Sequence, residues 1–210
     1  MTENTLLLYA ITDSRYAEKI PLTEQVRLAL EGGITCLQLR EKNIEEEDYI
    51  KKAKELLPLC HSFNVPLIIN DNPAVAVKSG ADGIHVGAED TEVSEIRKIY
   101  GSRLIIGATA KTVAQARKAE TEGADYLGVG AVFPSATKTN ALRITKEMLK
   151  EITGSVSIPA VAIGGINAEN ALEIAGSGVC GIAAVSAVFG AKNIREAAAE
   201  LKKLAQTVRR

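Results

Sequence analysis

The sequence predicts an α/β fold, a single (β/α)8 barrel with one domain spanning residues 1–210. Three observations point there. The chain has 210 residues, enough for one domain that buries roughly 70–75% of its unfolded surface without disulfides or a structural metal. A glycine-centred segment recurs four times along it. Further short apolar runs precede and separate the copies, so that eight candidate strands alternate with eight helical segments.

The first strand is Leu6-Leu7-Leu8-Tyr9-Ala10-Ile11. The repeated segments are Glu31 to Arg40, Ser79 to Gly87, Glu122 to Gly130 and Ser177 to Ser186. Each reads as a helix end, a glycine cap and a short apolar strand. Their glycines, Gly33, Gly80, Gly123 and Gly178, are spaced by 47, 43 and 55 residues. One strand–helix unit needs about 20–30 residues, so each period holds two. The intervening strands are Val65 to Asn70, Leu104 to Gly107 and Ile158 to Gly164. Continuous apolar strands between amphipathic helices imply a parallel sheet with its outer face covered. An open doubly wound sheet is the alternative. The pairwise repeat favours closure, because alternate strands fill alternate layers of a barrel interior.

Composition narrows the function. Hydrophobic residues make up 46% and charged residues 24%, an ordinary globular balance. With 25 basic and 26 acidic residues the net charge is −1, so no basic excess exists to follow a nucleic-acid backbone. Aromatics are 4% without tryptophan, which argues against base-stacking platforms. Cys36, Cys60 and Cys180 each lie beside apolar residues and read as small buried hydrophobes in a reducing, cytoplasmic setting. The N-terminus lacks a basic leader region, and no apolar run approaches the ~20 residues that span a membrane. Oligomeric state leaves no signal in the sequence.

In such barrels the chemistry sits at the C-terminal ends of the strands. The second strand ends Gln38-Leu39-Arg40-Glu41-Lys42. Period-two alternation turns Leu37 and Leu39 toward the helices and Gln38 and Arg40 toward the mouth, Lys42 continuing the spacing. A rim ion pair is the other reading of these cations. The third strand ends Asn70-Asp71-Asn72-Pro73, where Pro73 opens a helix and Asn72 caps it. Asn70 and Asp71 are thereby left without a capping role. After the fourth strand, either Asp90 or Thr91 can cap. Two carboxylates on adjacent loops, without His or Cys, suit Mg²⁺ completed by substrate phosphate, with capping as the alternative. Thr109 and Lys111 follow strand five. The long polar segment Phe133 to Arg143 carries Ser135, Thr137 and Lys138, which suit phosphate oxygens or, equally, a solvated loop. Gly164-Gly165 after strand seven and Val185-Ser186 after strand eight occupy the usual phosphate corner, where glycines let backbone approach a ligand. His85 reads as a packed strand residue and His61 as a helix-end residue matched to the dipole.

The residues Gln38 to Lys42, Asn70-Asp71, Gly83 to Gly87, Gly128 to Lys138 and Ala162 to Ile166 together resemble the thiamine phosphate synthase family, a TIM barrel family, over nearly the whole chain. The resemblance implies a transferase. It joins 4-amino-2-methyl-5-hydroxymethylpyrimidine diphosphate to a thiazole ethyl phosphate, carboxylated or not, and releases thiamine phosphate and diphosphate. It implies that Gln38, Arg40, Lys42, Asn70, Thr109 and Lys138 contact the pyrimidine diphosphate, with Arg40, Lys42 and Lys138 neutralising departing charge. Asp71 and Asp90 would hold Mg²⁺. Ser135 and Thr137 would face the thiazole phosphate, and Gly165, Val185 and Ser186 would complete its corner. The attacking thiazole nitrogen carries no proton, so no general base is needed. The chain departs from the family pattern at Asn72 (usually Arg), Ala88 (Gln), Lys111 (His), Ala131 (Pro) and Ser135 (Thr). A thiazole tautomerase, a non-catalytic barrel binding a phosphate of the same pathway, and another phosphate-binding barrel are the rival readings. The first needs proton transfer instead of a diphosphate clamp, and the second has no leaving group to neutralise.

Overall fold

The computed structural model describes residues 1–16, 20–87, 90–134 and 143–209. Eight parallel strands close a barrel in chain order: β1 (Leu8–Ile11), β2 (Cys36–Leu39), β3 (Leu67–Asn70), β4 (Gly83–Val86), β5 (Ile105–Ala110), β6 (Tyr126–Gly130), β7 (Ala160–Ile163) and β8 (Gly181–Ala184). The closing pair aligns Tyr9 with Ala183. The closed barrel, not the open sheet, is therefore the fold. Its helices are α1 (Leu22–Glu31), α2 (Glu46–Ser62), α3 (Pro73–Ser79), α4 (Val93–Tyr100), α5 (Val113–Thr121), α6 (Lys146–Thr153), α7 (Ser186–Phe189) and α8 (Ile194–Val208).

Period-two alternation divides the apolar strand residues between two cores. Leu37, Leu39, Leu67, Ile69, Ile84, Ile106 and Leu127 pack outward against the helices. Tyr9, Ile11, Cys36, Ile68, Tyr126, Val161 and Ala183 fill the interior. Two glycines make room there. A Cβ on Gly107 would overlap the Tyr126 ring, its register partner on β6, and one on Gly128 would press His85 at 3.1 Å.

The fourfold repeat has a physical cause. Gly33, Gly80, Gly123 and Gly178 all take left-handed φ, at 93°, 77°, 95° and 81°. Two residues after each stands a polar or sulfur side chain: Thr35, Asp82, Asp125 and Cys180. The first three accept from the backbone N–H of a residue on the preceding odd strand, Leu8 to Thr35 at 2.9 Å and Leu67 to Asp82 and Ile106 to Asp125 at 2.8 Å. Cys180 instead donates its thiol to the Ala160 carbonyl at 3.2 Å. Each repeat thus pins the bottom of an even strand to its odd neighbour. His61, at the C-terminal end of α2, bonds Asp82 at 3.0 Å, and Arg97 bonds Asp125 at 2.6 Å.

Two local expectations change. The segment between β7 and β8 forms a short 3-10 helix, Ala171–Ile174, in place of a full α-helix. Asn167 and Asn170 accept from nearby backbone N–H groups there, and such local bonds compete with helical ones. Neither Asp90 nor Thr91 caps α4, because Glu92 holds the cap position without a side-chain bond. Asn72 does cap α3, accepting from Val75 N at 3.0 Å ahead of Pro73.

Cys36, Cys60 and Cys180 are buried as expected. Burial raises the Cys36 thiol and pushes Cys60 to about 12 and Cys180 to about 11, so all three stay protonated thiols at neutral pH. No helix among the described residues is long and apolar enough to cross a membrane.

Candidate active site

Because all eight strands run parallel, their C-terminal ends share one mouth. Gln38 lies inside the barrel and is 2% exposed. Arg40 follows β2, its backbone N–H held by the Thr12 hydroxyl at 2.9 Å. Its guanidinium stands 3.8 Å from the buried carboxylate of Asp13, too long for a hydrogen bond but close enough to aim it. Asp13 is itself clamped by Arg15, which donates Nε to Oδ1 at 2.9 Å and Nη2 to Oδ2 at 2.6 Å. These bonds from Arg15 hold the Asp13 carboxyl below its usual range. A lowered folded-state pKa contributes stability that is complete above the unfolded value, about 3.9, and is lost as pH falls through the folded one. Asp13→Asn should therefore be less stable than the parent protein in urea at pH 7. The gap should narrow only below about pH 4, which urea midpoints measured from pH 3 to 8 will show.

The rim next to Arg40 carries the cluster that matters most. Lys42 donates its ammonium to Asp71 Oδ2 at 2.6 Å. Asp71 has φ of 65°, a left-handed turn that acidic and amide side chains tolerate better than most. That turn lets its N–H donate to the His85 carbonyl at 2.9 Å while its carboxylate faces the mouth. Asp90 reaches the same point from the β4–α4 loop, with Oδ2 accepting from Gly87 N at 2.7 Å. The Asp71 and Asp90 carboxyls lie close enough to shift one another. Burial pushes Asp71 up, but the bond from Lys42 and the neighbouring Asp90 outweigh it and hold this carboxyl below its usual value. Burial and then the neighbouring Asp71 raise Asp90. Two acidic groups thus share one spot with one ammonium against them. The rim ion pairs anticipated for Arg40 and Lys42 do form, and their partners are the acidic groups of the mouth.

A polar chain crosses the barrel interior below this rim. Gln38 Nε2 donates to the Tyr9 hydroxyl at 2.8 Å, which meets the Tyr126 hydroxyl at 2.8 Å. Tyr126 meets His85 Nδ1 at 3.2 Å, and His85 Nε2 meets Thr109 Oγ1 at 3.1 Å. Burial raises both tyrosines far above the ordinary phenol value, so they act as neutral hydroxyls. His85 is packed and hydrogen-bonded, as its strand position suggests.

Across the mouth, Gly164 and Gly165 follow β7 with φ of 103° and 66°. Their glycine requirement comes from the chain itself rather than from a ligand's approach. A Cβ on Gly164 would meet the Ala131 Cβ at 2.5 Å, and one on Gly165 would strike the Pro134 carbonyl. The segment after β6 lies directly on them, with Val132 N donating to Ile163 O at 3.0 Å and Phe133 N to Gly164 O at 2.9 Å. Val185 precedes α7 and Ser186 is its exposed first residue. Ser135, Thr137, Lys138 and Ala88 lie outside the described residues.

The structure brings Gln38, Arg40, Lys42, Asn70, Asp71, Asp90, Thr109, Gly165, Val185 and Ser186 to the C-terminal end of the barrel. Sequence reading missed Asp13, Tyr9 and Tyr126. Asp13 carried a findable signal, since it sits just past the C-terminal end of β1, at the same mouth as the other polar residues. The tyrosines carried only period-two placement within β1 and β6, which says nothing about bonding partners.

The comparisons agree with this geometry. The sequence model of a family described as thiamine monophosphate synthase matches residues 8–188. The chain is 44% identical to a thiamine-phosphate synthase of Ruminiclostridium cellulolyticum over 92% of each chain. It is also 44% identical to a thiamine-phosphate synthase of Pyrococcus furiosus, over 98% of this chain and 97% of that one. The solved structure of a thiamine phosphate pyrophosphorylase from Pyrococcus furiosus superposes with a TM-score of 0.91 at 43% identity, covering 98% of both chains. A barrel of this topology, a mouth furnished in this way and relatives of this identity over nearly full length lead to one assignment: the chain belongs to the thiamine monophosphate synthase family.

Proposed function

We propose that this chain condenses 4-amino-2-methyl-5-hydroxymethylpyrimidine diphosphate with a thiazole ethyl phosphate to give thiamine phosphate and diphosphate. The observation that carries this reading is the Lys42–Asp71 ion pair at 2.6 Å with Asp90 beside it, one strand from Arg40. A diphosphate leaving group needs cations that neutralise its developing charge, and oxygen ligands that bring a divalent metal to it.

The residues present fit Mg²⁺. Asp71 and Asp90 supply two hard oxygen donors from separate loops, and their mutual repulsion is relieved by a divalent cation. When bound, the metal supplies charge neutralisation at the diphosphate oxygens. The chain's own residues do the rest. Lys42 moves its ammonium from Asp71 toward the diphosphate. Arg40, aimed by Asp13, presents its guanidinium to the same anion. Gln38, Asn70 and Thr109 orient the pyrimidine so that its methylene faces the thiazole. The C–O bond to diphosphate breaks, the electron-rich aminopyrimidine carries the positive charge, and the thiazole nitrogen's lone pair forms the new C–N bond. No proton leaves that nitrogen, which agrees with His85 being committed to Tyr126 and Thr109. Ser135, Thr137 and Lys138 on the β6–α6 segment, with Gly165, Val185 and Ser186, are assigned to the phosphate of the thiazole and, for Lys138, to the diphosphate. The whole chain acts as one catalytic domain in the cytoplasm. A tautomerase would need a proton-transfer pair in place of a diphosphate clamp.

The test mixes both substrates with the purified protein and Mg²⁺ and follows thiamine phosphate by fluorescence after oxidation. Product should form, and should cease when EDTA removes the metal. Folded protein that makes no product from competent substrates overturns the reading.

A further inference from the structure

The interior chain of hydrogen bonds has a direction, and that direction has a consequence for specificity. Gln38 Nε2 can only donate, so the Tyr9 hydroxyl accepts from it. A hydroxyl has one proton, and Tyr9 points its own at the Tyr126 oxygen, 2.8 Å away, in preference to the neighbouring Cys36 sulfur, a weak acceptor. Tyr126, having accepted, gives its proton to His85 Nδ1 at 3.2 Å. With Nδ1 accepting, the neutral imidazole carries its proton on Nε2 and donates it to Thr109 Oγ1 at 3.1 Å. Two groups are left over at the ends. Gln38 keeps its carbonyl oxygen as an acceptor, and Thr109 keeps its hydroxyl proton as a donor.

Among these five groups, the reverse arrangement also gives each bond one donor and one acceptor. If the Gln38 amide turns over, Tyr9 must donate to it, Tyr126 to Tyr9, His85 Nδ1–H to Tyr126, and Thr109 to Nε2. Gln38 then offers N–H donors and Thr109 an acceptor. The two ends, on β2 and β5, are thus tied: reversing one reverses the other. Tyr9 and Tyr126 are fully buried and neutral, so no solvent proton repairs a mismatch.

We propose that Tyr9, Tyr126 and His85 are positioning residues that set the sense of this chain, and that the sense selects a pyrimidine presenting an amino donor over one presenting an oxo acceptor at Gln38. This deepens the functional reading above and rests on it for the identity of the ring. A ring with an exocyclic amino group finds the Gln38 carbonyl, while its 4-oxo counterpart sets two acceptors face to face. Replacing Tyr9 by Phe removes one hydroxyl, frees the Gln38 amide to turn, and lets either ring be met.

Two measurements test it. The first needs no substrate and no substitution among the hydrogen-bonded groups themselves. The protein has two histidines, so His61→Gln leaves His85 as the sole imidazole in a two-bond ¹H–¹⁵N correlation spectrum. The expected result at pH 8 is the neutral Nε2–H tautomer. An Nδ1–H tautomer overturns the proposal. The second compares the affinities of the 4-amino and 4-oxo forms of the pyrimidine methyl monophosphate by calorimetry. The preference for the amino form should fall about tenfold or more in Tyr9→Phe and in Tyr126→Phe, the scale of one buried hydrogen-bond mismatch, while affinity for the thiazole phosphate is unchanged. An unchanged preference in a folded variant overturns the proposal. If the parent protein binds neither ring, the functional reading fails instead, and the tautomer alone decides the direction of the chain.

Discussion

Asp71→Asn should lower kcat by about 10²- to 10³-fold, the usual loss when one preorganised charge-stabilising group is removed from a site. Asparagine matches aspartate in size and also tolerates a left-handed backbone, so the turn at φ 65° and the bond from Asp71 N to His85 O survive. The change is therefore electrostatic. Asp71 is the acidic group held below its usual pKa, and Asp90 the one raised beside it. Losing Asp71 removes the partner of Lys42 and, on the proposed function, one of the two metal oxygens together. The half-saturating Mg²⁺ concentration should rise along with the fall in kcat, and the thermal midpoint should move little. Steady-state rates across a Mg²⁺ titration measure both. A variant with near-parental kcat and unshifted Mg²⁺ dependence would remove Asp71 from the machinery.

How much of this was legible in the sequence differs by kind of interaction. The barrel was readable because its signals are local and repeated: left-handed glycines at 33, 80, 123 and 178, each followed by an apolar strand. The helix after β7 was not, because Asn167 and Asn170 bond their own backbone, and an apolar pattern says nothing of that competition. Among the site residues, Asp71 and Asp90 stood out as polar groups at strand ends without a necessary capping task. Their approach across two loops could only be inferred, since it depends on the side-by-side placement of β3 and β4. Asp13 and the two tyrosines are a different case. Their roles arise from long-range pairings, such as Tyr9 with Tyr126, that no spacing along the chain encodes. The glycine pair after β7 was read as making room for a ligand, whereas the backbone of the neighbouring segment takes that room.

That last correction leads to a large effect on stability and binding together. Gly165→Ala should lose about 2–5 kcal/mol. A left-handed alanine costs about 1–2 kcal/mol, and forcing a methyl into packed structure adds about 1–3. Here the methyl would strike the Pro134 carbonyl and approach Phe133 Cβ at 2.8 Å. For a chain of this length the thermal midpoint should drop by roughly 6–12 °C for about 3 kcal/mol. Gly80→Ala separates strain from collision, because its φ is 77° but the nearest atom a methyl would meet is Leu57 Cδ2 at 3.8 Å. It should lose only about 1 kcal/mol, roughly 2–4 °C, with kinetics unchanged. The two variants should also part in function. Pro134 leads directly into the residues carrying Ser135 and Thr137, and its displacement in Gly165→Ala moves the segment that Val132 and Phe133 anchor to β7. KM for the thiazole phosphate should therefore rise by about tenfold, the equivalent of one lost hydrogen bond to a charged group, with KM for the pyrimidine diphosphate changing less. A thiazole phosphate KM equal to that of Gly80→Ala would show that this segment's anchorage to the glycine pair serves the fold and not the site.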